Sequence, residues 1–362
     1  MNVLALASYP VEAAATRYRL KQFVEPLAAR GIELEIRPFT DSELFRSLYR
    51  QGSLARNAAG LFIAALKRFA DLPAVRKADV ILIQREAMIF GPPAIEWSAK
   101  RLFHRPILLD LDDATYVPYN SPTYGSMGRI FKWFSKTDDL IKWADVVTCG
   151  NRGIADYVVS KGSKARILAT VVDTDVFRPQ PRENSRTVIG WVGTHSTFPY
   201  LKTIFPVLTS LAKQYDFRLR VVGANSDVAV PDVEVENLPW QLDREVGDFQ
   251  SIDIGVYPID ESLYGGRWAQ GKSGFKAVQY MAVGVPYVAT PVGGSSEIGE
   301  EGITHFFASS EDQWYSALEI LLRDQSRRLE MGRRGREHAL AHYTIDAHAD
   351  ILADALNECL HR

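Results

Sequence analysis

The segment KSGFKAVQYMAVGVPYVATPVGGSSE occupies residues 272–297 and alternates between two kinds of pattern. Residues 275–283 have the spacing of apolar side chains that predicts a helix, and residues 286–290 form a short apolar run that predicts a buried strand. Glycine-rich polar residues precede the helix and follow the strand. A helix that leads into a buried strand is the unit from which covered parallel sheets are built, so this segment predicts an α/β domain.

The same alternation extends through the chain. In the first half it predicts strands at 3–7, 32–36, 80–83, 107–111, 146–149 and 166–171, and helices at 17–29, 58–69, 95–103, 130–143 and 154–161. In the second half it predicts strands at 188–192, 218–222, 252–256, 286–290 and 304–307, and helices at 200–214, 275–283, 311–324 and 327–342. The polar residues 178–185, which include two prolines, are the predicted linker.

The predicted architecture is therefore two doubly wound α/β domains in tandem with a cleft between them. The first domain covers residues 1–178 and the second covers residues 186–344. A last helix is predicted at 345–360, and we expect residues 345–362 to pack back on the first domain.

Composition excludes several classes of protein. Hydrophobic residues make up 46% of the 362 residues and charged residues 24%, which excludes disorder, collagen and coiled coil. The net charge of −2 argues against a nucleic-acid partner. Cys149 and Cys359 are too few for a disulfide framework, and neither has the spacing of a metal ligand. No segment predicts a signal peptide or a membrane span, so we expect a cytoplasmic protein.

The charges are distributed unevenly. Residues 1–180 contain 25 Lys and Arg against 19 Asp and Glu, whereas residues 181–362 contain 17 against 25. Chance and solvated helix faces explain this difference as well as a function does. The functional interpretation is that the first half meets an anionic group, such as a pyrophosphate-linked acceptor or the inner face of the membrane, where the protein would bind peripherally.

Three glycine-containing loops follow predicted strands or precede predicted helices in the second half. In GWVGTHST (190–197), Gly193 allows a ligand to approach the backbone, and Ser196 or Thr197 caps the next helix. An ordinary tight turn explains the same residues. His195 alone is more typical of a loop histidine than of a catalytic base. In PVGGSSE (291–297), small hydroxyls and a carboxylate suit sugar or ribose hydroxyls, and a turn with a helix cap also explains them.

The third loop, GGRWAQGKSGFK (265–276), has four glycines and three cations ahead of a helix. Helix N-termini favour anions, glycines let backbone N–H groups approach phosphate oxygens, and lysines neutralise their charge. We therefore predict a phosphate site here, with Lys272 and Lys276 on one side of the helix start and Arg267 on the preceding loop. A flexible surface loop with solvated lysines is the alternative.

Asp110, Asp112 and Asp113 lie at the end of the predicted strand 107–111. Carboxylates at such density need cations, a hydroxyl-rich ligand or arginine partners. Arg17 and Arg19 open the first predicted helix and are expected on the same rim. They either bind an acceptor together with the aspartates or simply pair with them.

These segments resemble the retaining glycosyltransferases of the GT-B fold, family four (glycosyl transferases group 1). Residues 272–307 carry most of the resemblance, and WADVVTCG (143–150), VDTDVFRP (172–179) and RRGREHALAHY (333–343) support it. It covers nearly the whole second half and the linker. It implies transfer of a sugar from a nucleotide-diphosphate donor with retention at the anomeric carbon, without a metal or another cofactor.

The resemblance has gaps at positions that matter. The two glutamates of the family's Glu-x7-Glu pattern fall on Gly271 and Gln279, and the usual arginine of the first strand loop falls on Thr194. The usual histidine at the end of a first-half strand falls on Asp112. We infer that Lys272 and Lys276 take over the stabilisation of the leaving diphosphate.

The predicted site has three parts and no metal ligand. The predicted catalytic residues are Asp112, Lys272 and Lys276. The predicted donor-binding residues, of which Gln279 and Glu297 would contact the nucleoside or its ribose, are Gly193, Thr194, Arg267, Gly274, Phe275, Gln279 and Glu297. The predicted acceptor-binding residues are Arg17, Arg19, Asp110 and Asp113.

We expect a hexosyltransferase that transfers a sugar to a hydroxyl of a glycan, a glycolipid or a lipid-linked acceptor, in the synthesis of cell-surface polysaccharide or glycoconjugate. One alternative is a catalytically degenerate subunit that binds a sugar nucleotide, because Gly271 and Gln279 replace both carboxylates. The other is an epimerase of the GT-B fold. Turnover of a labelled donor separates an enzyme from a degenerate binder.

Overall fold

The computed structural model describes residues 1–48, 54–118, 133–181, 185–263 and 266–361. The chain divides into two compact units. The first unit comprises Met1–Thr170, Gln270–Ser273 and Ile345–Arg362, and the second comprises Val171–Ala269 and Gly274–Thr344. The division after Thr170 comes earlier than the predicted linker at 178–185. The reason is that Arg336 donates hydrogen bonds to the carbonyls of Thr174 (2.8 Å) and Phe177 (2.7 Å), which hold this stretch in the second unit.

The first unit is built on a sheet of six parallel strands in the order β2-β1-β3-β4-β5-β6. The strands are β1 (Asn2–Ala7), β2 (Glu33–Pro38), β3 (Val80–Gln84), β4 (Ile107–Leu111), β5 (Val146–Cys149) and β6 (Ala165–Ile167). Every residue of β3, β4 and β5 is buried, as expected for strands covered on both faces.

The helices of the first unit before its C-terminal part are Ala14–Arg19, Val24–Ala28, Ser42–Leu48, Leu54–Ala70, Leu72–Lys77, Ala94–Trp97, Lys136–Trp143 and Arg152–Ser160, with a 3-10 turn at Lys21–Phe23 and a π-helical turn at Ser98–Leu102. The predicted helix 17–29 is therefore broken near Leu20, where the backbone leaves the helical region. The predicted helix 130–143 begins outside the described residues.

The C-terminal helix, Ile345–Leu360, belongs to the first unit. It lies against β3, β4, β5 and the helix Val24–Ala28. Arg30 Nε is 2.7 Å from Asp350 Oδ1, and Lys164 Nζ is 2.8 Å from Glu358 Oε1. The buried residues of this helix, among them Leu352 and Leu356, cover one face of the sheet.

The second unit contains another sheet of six parallel strands, in the order β12-β11-β10-β7-β8-β9. The strands are β7 (Thr187–Val192), β8 (Phe217–Val222), β9 (Glu234–Leu238), β10 (Ile254–Tyr257), β11 (Tyr287–Ala289) and β12 (His305–Phe307). The sequence did not predict β9.

The helices of the second unit are Phe198–Lys202, Phe205–Ala212, Glu245–Gln250, Gly266–Gln270, Phe275–Ala282, Glu311–Arg323 and Gln325–His342, with a 3-10 turn at Gly293–Glu297. The last residue of Gly266–Gln270 is grouped with the first unit. The predicted helix 200–214 is in fact two helices, each with a proline in its first turn, where a missing N–H costs nothing. No helix in the described part of the chain is long and apolar enough to cross a membrane.

Candidate functional site

Each sheet has one place where its topology favours a ligand. In the second unit the chain builds β7, β8 and β9 outward in one direction and then places β10 on the other side of β7. In the first unit β2 and β3 flank β1 in the same way. Loops diverge at such a switch point, and ligands of open parallel sheets bind there at the carboxyl ends of the strands.

The loop after β7 is compact because of Gly193. A Cβ atom at this position would lie 2.3 Å from the Trp191 ring and 2.8 Å from Thr197 Oγ1. The Thr194 N–H donates to Thr197 Oγ1 at 3.0 Å. The prediction that Thr197 caps the next helix is therefore wrong: its hydroxyl turns back into the loop, and the helix Phe198–Lys202 has no side-chain cap.

Two of the glycine loops meet at Gly274. This residue has a left-handed backbone with φ of +70°, and a Cβ atom on it would lie 2.5 Å from the Gly294 carbonyl carbon and 2.7 Å from the Ser295 nitrogen. Only glycine allows both the conformation and this approach. The start of the helix Phe275–Ala282 is thereby packed against the turn Gly293–Glu297, which follows β11.

Lys276 lies in the first turn of that helix. Its Nζ donates to Gln279 Oε1 at 2.8 Å and lies 5.0 Å from the ring centre of Phe249 and 5.9 Å from that of Phe275. Gln279 is completely buried. A cation held over two aromatic rings beside a helix N-terminus is a favourable arrangement for an anionic ligand.

Lys272 lies in the segment Gln270–Ser273, which belongs to the first unit. Asn151 holds this segment: its Nδ2 donates to the carbonyls of Gln270 (3.0 Å) and Lys272 (2.8 Å). Its Oδ1 accepts from the Ile154 N–H at 2.8 Å and so caps the helix Arg152–Ser160. The prediction that Lys272 and Lys276 share one side of a helix start is wrong, because Gly274 interrupts the helical path between them.

Gly271 fits closely against Ala114. A Cβ atom on Gly271 would lie 2.2 Å from the Ala114 Cβ and 2.8 Å from the Ala114 nitrogen. No side chain fits at residue 271 while the segment keeps this position. The replacement of a family glutamate by glycine is thus tied to the packing of this segment.

Arg19 and Asp110 form a buried ion pair in the first unit. Arg19 Nε donates to Asp110 Oδ2 and Arg19 Nη2 donates to Asp110 Oδ1. Thr148 Oγ1 also donates to Asp110 Oδ1, at 2.7 Å. The side chain of Arg19 has no exposed surface. The two side chains satisfy one another, which argues against the predicted role of Arg19 and Asp110 in contacting an acceptor and favours the alternative of a structural pair.

Arg85, which the sequence analysis did not name, neutralises the other two aspartates. Its Nε is 2.5 Å from Asp112 Oδ1, and its Nη2 is 2.7 Å from Asp112 Oδ2 and 2.9 Å from Asp113 Oδ2. Lys272 Nζ lies 3.6 Å from Asp113 Oδ1. Burial alone would raise the pKa of Asp112, but Arg85 outweighs burial and the pKa lies below its ordinary value. Asp112 is therefore an ionised, paired carboxylate at neutral pH.

The loop after β3 is fixed by buried charges. Lys136 Nζ is 2.7 Å from Glu86 Oε2 and donates to the Met88 carbonyl at 2.7 Å. The Ala87 N–H donates to Glu96 Oε1 at 2.9 Å. The Lys136–Glu86 pair is buried, and together with the bond from the Ala87 N–H to Glu96 it anchors the loop at the switch point of the first sheet.

Arg17 differs from Arg19 although both lie on the helix Ala14–Arg19. Its Nη1 donates to the carbonyls of Val11 (3.3 Å) and Glu12 (3.0 Å), and its guanidinium lies 4.8 Å from the ring centre of Tyr18. The side chain is partly exposed at the carboxyl end of β1. Arg17 thus stays a candidate for binding an anionic acceptor.

Residues 186–324 match the family model described as "Glycosyl transferases group 1". This segment is similar to the group 1 glycosyltransferases. The D-inositol 3-phosphate glycosyltransferase of Mycobacterium marinum is 28% identical over 193 residues, which represent 46% of this chain and 40% of that protein. The chain thus spans less than half the length of this curated relative.

Solved structures resemble the whole chain. The Anabaena protein HepE, in complex with UDP-glucose, has a TM-score of 0.71 at 14% identity over 99% of both chains. The sucrose-phosphate synthase of Thermosynechococcus elongatus has a TM-score of 0.69 at 15% identity, covering 98% of this chain and 97% of its own. At such identities the likeness concerns the fold, and it confirms the predicted GT-B fold with two doubly wound domains.

The matched segment 186–324 contains all seven predicted donor-binding residues. The structure brings Gly274, Phe275, Lys276 and Gln279 together with the turn Gly293–Glu297. Gly193 and Thr194 directly follow β7 at the switch point of the same sheet. Arg267 and Glu297 are exposed, and their contact with a donor stays a prediction.

Proposed function

We propose that this chain is a glycosyltransferase that moves a sugar from a nucleotide-diphosphate sugar to a hydroxyl of an acceptor. The observation that carries the proposal is the close packing of Gly274 on Gly294 and Ser295 beside Lys276, within the segment 186–324 that matches the family model. The helix Phe275–Ala282 directs its N-terminal N–H groups and the positive end of its dipole toward a bound anion, and Lys276 adds a full charge. This is the chemistry that a diphosphate needs.

These groups would act mainly on the leaving group. Negative charge grows on the diphosphate as the glycosidic bond breaks, and donors already in place stabilise that charge more in the transition state than in the ground state. Retention of configuration, as in the family that the sequence resembles, requires the acceptor hydroxyl to attack from the face that the diphosphate leaves. The departing phosphate oxygen would take the proton of that hydroxyl.

We assign the acceptor to the first unit, where Arg17 is partly exposed at the end of β1. A phosphate or pyrophosphate on a lipid-linked or glycan acceptor suits an arginine, which binds such oxygens through two parallel hydrogen bonds. A role in the synthesis of cell-surface polysaccharide or glycoconjugate follows from this class of acceptor.

The test begins with donor binding. Thermal unfolding is recorded with UDP-, GDP- and dTDP-hexoses, and one of them should raise the Tm because a ligand of the native state stabilises it by mass action. That donor, with a labelled sugar, should then release its nucleotide and transfer the label to a lipid-linked acceptor. If no nucleotide sugar raises the Tm and no label moves, the proposal is wrong.

A donor-binding subunit without catalysis is the second candidate, favoured by one observation. Gly271 cannot carry a side chain against Ala114, so the carboxylate that the family places there is absent for a structural reason. If the chain only binds a donor, the donor should raise the Tm and no nucleotide diphosphate should be released. Release of nucleotide diphosphate in the same sample would exclude it.

We also propose that the reaction requires no metal ion. The carboxylates that could bind one, Asp110, Asp112 and Asp113, are already engaged by Arg19 and Arg85. We expect EDTA to leave the transfer rate nearly unchanged. A loss that Mn²⁺ or Mg²⁺ restores would instead make these aspartates metal ligands.

A further inference from the structure

A cavity of about 530 Å³ lies at the amino ends of strands in the second sheet. Thr187 begins β7, Asp253 directly precedes β10 and Gly284 precedes β11, and all three residues line the cavity. The loop of Gly193 and the turn Gly293–Glu297 follow the opposite, carboxyl ends of β7 and β11. A volume of this size is typical of a small-molecule site. The cavity is therefore a candidate binding site that is separate from the predicted donor site.

Arginines supply most of the charge on the cavity wall. Among the described residues, the wall contains one carboxylate, that of Asp253. Its four arginines are Arg186, Arg328, Arg333 and Arg336. Arg186 Nη1 is 2.6 Å from Oε2 of the exposed Glu234. Arg333 Nη2 is 2.6 Å from Oε1 of the exposed Glu330. These two arginines are already paired and add little net charge.

The other two arginines, Arg328 and Arg336, are held by backbone carbonyls instead. Arg328 Nη1 donates to the carbonyls of Leu321 (2.5 Å) and Leu322 (3.2 Å). Arg336 Nη1 donates to the carbonyl of Ala282 (2.7 Å), in addition to the two bonds by which Arg336 holds the stretch before β7. In the described part of the chain, neither guanidinium lies at ion-pair distance from a carboxylate. The cavity therefore has two positive charges that no carboxylate contacts directly.

The pKa values of these two arginines indicate that their charge is incompletely balanced. Burial lowers the pKa of Arg328 and that of Arg336. Asp253 and Asp324 act on Arg328 in the opposite direction, as Asp175 does on Arg336, but burial outweighs them. A lowered arginine pKa means that the protein stabilises the charged form less well than water does. An anion in the cavity would supply the missing stabilisation.

Arg328 has an edge that suits a phosphate. Among the described residues, no group accepts a hydrogen bond from its Nε or Nη2. These two atoms lie on one edge of the guanidinium, which binds two phosphate oxygens in parallel. Thr187 and Gln325 on the same wall add hydrogen-bond donors. We propose that the cavity binds the phosphate group of a small phosphorylated molecule at Arg328. This inference does not depend on the proposed transfer reaction.

Isothermal titration calorimetry of the full chain measures the binding. The probes are inorganic phosphate, inorganic pyrophosphate and glycerol phosphate, with sodium chloride at equal ionic strength as the control. We expect the phosphates to bind, to raise the Tm, and to bind more weakly as salt increases. Tighter binding of glycerol phosphate than of inorganic phosphate would identify a phosphate monoester as the ligand, and the reverse order would identify free phosphate. If none of the three binds at low salt, the inference is wrong.

Variants of the cavity wall should change the affinity in opposite directions. Arg328→Gln should weaken phosphate binding about tenfold or more, because charge-assisted hydrogen bonds are lost. Asp253→Asn should strengthen it roughly threefold or more, because a repelling charge is removed. An asparagine oxygen can still accept from the Val188 N–H, which Asp253 Oδ2 meets at 2.9 Å. The matched control, Arg334→Gln, removes a charge from the same helix outside the cavity wall and should bind like the wild type.

Two comparisons separate this site from the donor site and from a folding defect. Lys276→Ala should keep the phosphate binding that Arg328→Gln removes. If Lys276→Ala abolishes the binding and Arg328→Gln does not, the phosphate binds at the donor loops and the inference is wrong. A gain of affinity in Asp253→Asn cannot come from damage to the fold, so an unchanged or weaker affinity in that variant also contradicts the inference. An equal loss in Arg334→Gln and Arg328→Gln would show non-specific attraction to the basic helix instead.

Discussion

Arg85 holds two carboxylates at once and does so from an uncommon backbone conformation. Its φ is +62°, in the left-handed region that residues other than glycine seldom adopt. The conformation persists because the bidentate pair with Asp112 and the contact with Asp113 offset its cost. Asp112, with both oxygens engaged, is suited to fixing the loop that follows β4 rather than to accepting a proton.

Replacing Asp112 separates these roles. We expect Asp112→Asn to lower the free energy of unfolding by about 3 kcal/mol, because Arg85 loses a buried ionic partner. The measurement is denaturant unfolding together with kcat on the folded protein. Adding Arg85→Gln to this variant should recover part of the lost free energy of unfolding, because no arginine then remains without its main ionic partner. Wild-type stability with a reduced kcat would instead show that Asp112 contacts the acceptor.

Lys276 is the residue whose removal should affect the transfer step most directly. We expect Lys276→Ala, and likewise Lys272→Ala, to lower turnover roughly tenfold to a thousandfold, as removal of one charge-stabilising donor does. Lys202→Ala is a matched control, since Lys202 also lies over an aromatic ring, 4.9 Å from the centre of Phe198. A wild-type rate in the double variant of Lys272 and Lys276 would contradict the assignment.

At the scale of elements, Asn151 connects a helix to a segment distant in sequence. It caps Arg152–Ser160 with its oxygen and holds Gln270–Ser273 with its nitrogen. Asn151→Ser should keep the cap but lose both bonds to the segment, whereas Asn151→Ala should also lose about 1 kcal/mol of stability with the cap. We expect both variants to lower kcat through Lys272, and only Asn151→Ala to lower the Tm further. An unchanged kcat in Asn151→Ser would show that Lys272 needs no such support.

The elements that the sequence predicted well are those that carry their own signal. Strands such as β3 and β7 are continuous apolar runs, and they are recognisable without their neighbours. The missed strand β9, EVENL, alternates charges with apolar residues at a sheet edge. Its glutamates pair with Arg186, Arg218 and Arg220, most of which lie on β8. That pairing becomes visible only when the order of strands is known.

The parts of the site that could be predicted are likewise those with a local sequence signal. Gly193 and Gly274 stand out in the sequence because glycine followed by small polar residues indicates a tight loop. Arg85 has no such motif. It follows β3, and only the register that pairs Gln84 with Asp110 places it next to Asp112. Of the two arginines that the sequence offered as partners, Arg19 pairs with Asp110 and not with Asp112 or Asp113.

At the scale of the whole molecule, His305 should make stability depend on pH. It is completely buried, stacked on Tyr287 at 4.8 Å and edge-on to Phe307 at 4.4 Å. Burial, with a smaller effect of His338, lowers its pKa to about 4. Between pH of about 6.5 and about 4 the unfolded chain binds a proton that the folded protein does not, so the free energy of unfolding falls as the pH falls.

The measurement is the unfolding free energy of wild type and His305→Phe across that pH range. The phenylalanine keeps an aromatic ring but cannot titrate. We expect the wild-type curve to fall more steeply on acidification, by as much as about 3 kcal/mol in total. Carboxylates that titrate in the same range contribute to both curves and cancel in the difference. Parallel curves would show that His305 does not cause the dependence.

The C-terminal helix gives the molecule a particular order of assembly on the ribosome. All six strands of the first sheet exist once residue 170 has been synthesised, but the helix Ile345–Leu360 that covers β3, β4 and β5 emerges only after the second unit. At about 5–20 residues per second, that interval lasts on the order of ten to thirty seconds. Throughout it, a nascent chain presents an apolar sheet face to solvent or to a chaperone. If translation stalls within the second unit, all six strands of the first sheet have been synthesised but their covering helix has not. The first unit is then exposed to aggregation.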